Sequence, residues 1–121
     1  TGGVRTFLGL HSHGFPNLFI MSGPQGGGGQ FNFTRGIEGH TDYVVWMLRT
    51  LRARGAGIVD IKKEPEIAYA QHCRQVDVAT RPLRDCLSYY NGDGAAEPGS
   101  LAYYGGPQKW HQLRVAAQES L

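Results

Sequence analysis

The residues with chemical potential lie together in Ser22-Gly23-Pro24-Gln25, the glycines Gly26 to Gly29, and Gln30-Phe31-Asn32-Phe33. An unbroken apolar run, Leu18-Phe19-Ile20-Met21, leads straight into this stretch. Consecutive glycines cost conformational entropy on folding and let a ligand come close to the backbone. Such a loop offers backbone N–H groups. At the start of a following helix, these groups and the positive end of the helix dipole favour negative charge. Gln30 and Asn32 add amides that can reach polar ring atoms or a carbonyl, and Phe31 and Phe33 add apolar walls.

Specific phosphate fingerprints are missing from this loop. There is no GxxxxGK[ST], and GxGxxG matches only because the stretch is polyglycine. No clear acidic residue ends a second strand about 20 positions downstream, as a dinucleotide site requires. A helix start can also stabilise partial negative charge on a neutral heterocycle. A reduced flavin, with charge developing around N1 and O2, is one such case. A flexible surface loop ahead of a helix is the alternative reading of the same residues.

Other reactive side chains read as structural. His11 and His13 have a strand-like i, i+2 spacing, but no further ligand accompanies them, so no metal site is expected and both read as turn or surface residues. His40, His72 and His111 fall on expected helices, in packing or surface roles. Cys73 cannot face its neighbour His72 on a helix, and Cys86 with Asp85 and Ser88 suggests no nucleophile pair, so no catalytic residue is assigned. Glu38, between Arg35 and Asp42 at helical spacing, reads as part of a solvated charge cluster. Arg49, Arg52 and Arg54 suit the negative end of a helix better than a phosphate site. Tyr89-Tyr90 and Tyr103-Tyr104 read as the packing of a long loop, with the edge of a substrate tunnel as the alternative.

The elements that must position the loop follow from periodicity. The run over residues 17–22 is apolar without alternation, which fits a strand covered on both faces, as in a parallel sheet. Residues 4–10 and 57–61 read as further short strands. A helix is expected over residues 34–54, capped by Asn32 or Thr34 and stopped by Gly55 and Gly57. Its inward stripe is Ile37, Thr41, Val44, Leu48 and Leu51, widened by Val45 and Met47. A second helix is expected from Pro65 to Thr80, with Ile67, Ala70, Cys73 and Val76 inward. Residues 83–106 read mostly as loop. Pro107 opens a last helix with Trp110, Leu113, Ala117 and Leu121 on one stripe.

The chain has 121 residues, 40% hydrophobic and 18% charged, which suits one modest globular domain. A net charge of +2 with spread basic residues argues against a nucleic-acid partner. No apolar stretch approaches the roughly 18–20 residues of a membrane span, and no secretory leader is read at the start. Two cysteines are too few for a disulfide framework and suit a cytoplasmic protein. Two or three short strands cannot cover residues 18–21 on both sides, because such a strand needs parallel neighbours. The fold class is therefore α/β with an incomplete sheet, and the opening at Thr1 reads as the middle of a longer protein. Alone, the chain is expected to bury too little surface to fold cleanly.

The segment Thr6-Phe7-Leu8-Gly9, then Gly14 to Phe19, then Gly23-Pro24 and Ile37-Glu38, resembles the C-terminal part of Baeyer–Villiger monooxygenases, class B flavoproteins that use FAD and NADPH. The later CLSYYNGDG and YYGGPQKWHQL segments resemble a subgroup of that family, and the resemblance spans nearly the whole chain. It implies that residues 1–121 are the last section of a Rossmann-like FAD-binding domain. Residues 1–55 would form the strand, flavin loop and helix. Residues 56–121 would form a helical and loop tail near the substrate side.

Carried over by position, Gly23, Pro24, Gln25, Asn32 and Phe33 would lie at the flavin, and Gln30 and Phe31 would line the substrate side. The glycine run departs from the family's commoner Ser/Pro-containing loop. The family's dinucleotide fingerprints, its signature histidine and tryptophan, and its flavin-supporting arginine are missing here, so the chain is not expected to act alone. With its missing N-terminal part, the resemblance implies an enzyme that uses FAD, NADPH and O2 to convert a ketone into an ester or lactone. The alternatives are another class B monooxygenase acting on nitrogen or sulfur, and a small non-enzymatic binding module in which the glycines are a linker.

Overall fold

The computed structural model describes residues 3–28, 32–80 and 101–120. Gly29, Gln30, Phe31, Cys86, Tyr89, Tyr90 and Leu121 lie outside the described residues. Three helices organise the chain: α1, Phe33–Ala53; α2, Lys63–Thr80; and α3, Pro107–Glu119.

Each helix begins and ends where local chemistry supplies a signal. The Asn32 side chain accepts the Arg35 N–H at 3.0 Å and caps α1, satisfying one of the donors a helix start leaves without a partner. Beyond its other end, Gly55 takes φ +64°, a left-handed value that glycine adopts at little cost. α2 starts two residues earlier than expected, so Pro65 sits within its first turn between Glu64 and Glu66, whose charges favour a helix start. In α3, Pro107 opens the helix after Gly106 at φ +85°.

The expected strands are not formed. Among the described residues there is one isolated antiparallel bridge, Phe7 to His11, closing a tight turn. Residues 17–22 have left-handed backbones at both ends, Asn17 at φ +61° and Ser22 at φ +56°, and touch each neighbour through single backbone bonds. Ile20 N–H donates to the Leu10 carbonyl at 2.8 Å, and Asn17 N–H donates to the Val59 carbonyl at 2.9 Å. A ladder needs a run of partners along a whole edge, and residues 4–10 and 57–61 each supply too short a stretch of it.

The core joins the first turn, the helices and the segment before α3. Leu8, Leu10, Tyr43, Met47, Tyr69, Cys73, Tyr103 and Trp110 pack as one cluster. In α2, Ala70 and Cys73 are buried as expected, while Ile67 and Val76 are half-buried. In α1 Met47 is buried as expected, but its buried companions are His40 and Tyr43, while Ile37, Val44 and Leu51 of the aliphatic stripe are half-buried and Leu48 is 53% exposed. The reason is chemical. His40 and Tyr43 carry their polar atoms inward to waiting partners, so they enter the core without an unsatisfied group.

Candidate functional site

The glycine loop is held from below by Gln25. Its side chain is buried, and its Oε1 accepts both the Thr6 N–H at 3.0 Å and the Thr6 hydroxyl at 2.9 Å. Its Nε2 donates to the Val4 carbonyl at 3.1 Å. The Tyr69 hydroxyl donates to the Gln25 carbonyl at 2.7 Å, and burial pushes that hydroxyl's pKa well above the usual value. An amide in a glycine-rich loop looks available to a ligand. Here it ties the loop to the first turn of the chain.

Two non-glycine residues of the loop have left-handed backbones, Ser22 at φ +56° and Gln25 at φ +64°. Residues held there cost of order 1–3 kcal/mol each and persist only where the surroundings fix them. Thr6 supplies that restraint at Gln25. At Ser22 it comes from His40 on α1, whose Nδ1 accepts the Ser22 N–H at 3.1 Å. The other ring nitrogen, Nε2, lies 3.1 Å from the Gly26 carbonyl. Because a backbone N–H can only donate and a carbonyl can only accept, the ring is the neutral tautomer with its proton on Nε2. Burial lowers the His40 pKa, and the nearby Arg114 charge lowers it further. The bond to Gly26 opposes both.

The segment before α3 returns onto the loop. Gln25 N–H donates to the Leu101 carbonyl at 3.1 Å, and Tyr103 N–H donates to the Gly27 carbonyl at 3.0 Å. A Cβ on Gly28 would come within 2.9 Å of the Tyr103 carbonyl oxygen, so this approach needs glycine. Tyr103 is fully buried, stacked on Tyr69 at 6.0 Å, with its hydroxyl 3.1 Å from His72 Nε2. It packs the loop's support, as the packing reading expects.

Above this support lies a cleft of about 250 Å³ between the loop and the start of α1. Gly23, Pro24, Gly26 to Gly28, Phe33, Gly36 and His40 border it. Among the described residues, the N–H groups of Gly27 and Gly28 donate to no protein acceptor. The first-turn N–H groups of α1 add further donors and the positive end of the helix dipole. Asn32 spends its side-chain oxygen on the cap, which leaves its NH2 as a donor. Phe33 is 68% exposed at the mouth. The cleft thus offers amide donors on one side and an aromatic face on another, which suits the electron-rich edge of a flat heterocycle.

Gly23, Pro24 and Phe33 line this cleft together, Asn32 adjoins it, and Gln25 contributes backbone only. Gln30 and Phe31 fall outside the described residues. His40 is the residue that sequence reasoning missed. The hints were its place on the helix that follows the loop and in the Ile37-Glu38-Gly39-His40 stretch that carries part of the family resemblance.

Of the paired histidines, His13 lies exposed in a turn as expected, and only His11 departs from expectation. His11 is buried, with Nε2 3.0 Å from the Tyr43 hydroxyl, and burial lowers its pKa to about 4 against a smaller raising effect of Asp60. His13 Nδ1–H donates to the Ile61 carbonyl at 2.7 Å. Each ring is committed to a different neighbour. Glu38 pairs with Arg35 at 2.9 Å in full view of solvent, as the charge-cluster reading expects. Among the described residues, no helix is long and apolar enough to cross a membrane.

The chain is 33% identical over 116 residues to a Baeyer–Villiger monooxygenase of Streptomyces coelicolor, covering 92% of this chain and 19% of that protein. It is 28% identical over 89 residues to a Baeyer–Villiger monooxygenase of Pseudomonas aeruginosa, covering 73% of this chain and 17% of that one. It is 29% identical over 119 residues to a methyl acetate-forming acetone monooxygenase of Gordonia, covering 94% of this chain and 22% of that protein. Its fold matches an oxidised steroid monooxygenase bound to NADP with a TM-score of 0.83 and 30% identity, over 98% of this chain and 21% of that one. No family model matches the chain. The chain therefore spans about a fifth of the length of the curated relatives it matches.

Proposed function

From the premise that this chain belongs to the Baeyer–Villiger monooxygenase family, we propose that it forms the flavin-facing end of an FAD- and NADPH-dependent monooxygenase. The whole enzyme would use O2 to convert a ketone into an ester or lactone in the cytoplasm. The observation that carries this reading is the cleft at the start of α1. Unpartnered Gly27 and Gly28 amides, the helix dipole and exposed Phe33 meet there on a loop fixed from below.

The residues fit one edge of a flavin. Gly23, Pro24, the Gln25 backbone, Asn32 and Phe33 would hold it, and Gln30 and Phe31 would face the ketone. The bound flavin supplies the electron transfer and oxygen chemistry. The protein groups place amide donors where negative charge develops on reduction, and they do so without reorganising, because Thr6, Tyr69 and His40 have already fixed the loop. Phe33 keeps water from that edge.

Expression of the complete open reading frame tests the reading. A yellow protein that oxidises NADPH faster when ketone is added supports it, and a colourless one overturns it. In the yellow protein, Gly26→Val and Asn32→Ala should weaken flavin retention or divert reducing equivalents to hydrogen peroxide. A valine side chain at position 26 would press on His40 Cε1, which lies 3.1 Å from a Cβ built there. If neither variant alters flavin content, peroxide leakage or turnover, the loop is not the flavin edge.

A further inference from the structure

We propose that His40 is a positioning residue for the cofactor: its neutral ring bridges Ser22 N–H and Gly26 C=O and so determines which loop amides face the cleft. This inference rests on the flavin reading above and adds a residue and a mechanism to it.

The geometry supports it at three points. Both ring nitrogens are used, and both partners are backbone atoms of one five-residue turn. That turn is closed by Gly26 N–H donating to the Gly23 carbonyl at 3.1 Å. The bond to Ser22 acts on a residue whose backbone is left-handed, so it restrains a conformation that serine alone would leave. The bond to Gly26 engages that carbonyl oxygen, which would otherwise be left to repel an electron-rich ring edge. The next two residues, Gly27 and Gly28, keep their N–H groups unpartnered at the cleft.

The ring itself is held against movement. It is 2% exposed and packs on the Trp110 indole at 5.0 Å between centroids, tilted by 55°. Gly39, beside it on α1, admits Trp110 closely, since a Cβ there would lie 3.2 Å from the indole. The position of α3 is thereby transmitted through Trp110 and His40 to the loop. A ring only filling space would not need one donor and one acceptor, each matched to a backbone group of opposite sense.

Three variants of the full-length enzyme decide the matter. His40→Gln keeps one acceptor and one donor, whereas His40→Leu and His40→Phe keep volume without either. Flavin affinity, the fraction of NADPH oxidation lost as hydrogen peroxide, and amide hydrogen exchange over residues 20–28 are measured for each. The expected result is that His40→Leu and His40→Phe lose roughly tenfold or more in flavin affinity, equivalent to about 1.4 kcal/mol. They should also raise the peroxide fraction and speed exchange in the loop, and His40→Gln should recover a large part of all three. If flavin binding, coupling and loop exchange are unchanged in the apolar variants, or if His40→Gln is as impaired as His40→Leu, the inference is overturned while the flavin reading stands. A wild-type enzyme that holds no flavin overturns both.

Discussion

The indole N–H of Trp110 donates to the carbonyl of Leu8 at 3.2 Å, joining α3 to the first turn of the chain across 102 positions of sequence. Trp110 is 3% exposed and Leu8 1%. Leu8 itself is left-handed at φ +58°, so this bond, like those at Ser22 and Gln25, holds a backbone that would relax without it. The last helix is thus part of the support for the site.

Replacing Trp110 by Phe should keep an aromatic ring against His40 but leave the Leu8 carbonyl without its donor. The expected cost is about 1–3 kcal/mol, read as a lower urea midpoint with an unchanged slope. No change in midpoint would mean that the carbonyl finds water in the variant.

Gly9 and Gly14 offer a controlled comparison. Both have positive φ, +71° and +85°. A Cβ on Gly9 would overlap Gly26 at 2.2 Å from its Cα, whereas a Cβ on Gly14 meets nothing within 4 Å. Gly14→Ala should therefore cost only the left-handed term, roughly 1–2 kcal/mol. Gly9→Ala should cost clearly more and also reduce ligand retention, because it pushes directly on the loop. Equal costs in unfolding experiments would show that the turn and the loop do not press together.

His11 predicts an acid-sensitive fold. Its folded pKa of about 4 lies below the ordinary 6.5, so the unfolded chain binds a proton that the folded chain refuses. The contribution is present in full above pH 6.5 and lost as pH falls through 6.5 towards 4, on the order of 3 kcal/mol in all. The lowered pKa of His40 acts in the same direction. Unfolding free energy measured from pH 8 to pH 4 should fall, and His11→Gln should flatten the fall.

Cys73 should be chemically silent. It is fully buried in α2, and burial raises its pKa to about 12. At pH 8 the thiolate population is negligible, so a chromogenic disulfide reagent should label this residue only as fast as the protein opens. Denaturant should restore rapid labelling. Fast reaction in the native protein would place the thiol at a surface.

The helices were legible in the sequence because their signals are local. Asn32, Gly55 and Pro107 announced α1 and α3 to within a residue or two. Gly23, Pro24 and Phe33, which the family resemblance assigns to the flavin, border one cleft. Residues 17–22 form no ladder here, and Leu18 and Met21 stay 42% and 43% exposed, because the parallel neighbours that such a run requires are missing among the described residues. The inward face of α1 was legible only in part, at Met47 but not at His40 and Tyr43. Hydrophobic periodicity gave no weight to His40 and Tyr43, whose burial depends on acceptors and donors brought from residues 11 to 26. The inward role of the Gln25 side chain was not legible for the same reason, because nothing in its neighbours signals that Thr6 and Val4 will claim its amide.

The backbone bonds from Gln25 to Leu101 and from Tyr103 to Gly27 carry a lesson for anyone building chimeras among these enzymes. The glycine run and the tyrosine stretch are distant in the gene yet form one interlocked module. A transplant that moves one without the other would join halves shaped for different mates. The sensible unit of exchange is the pair, with Gly28 and Tyr103 inherited from the same parent.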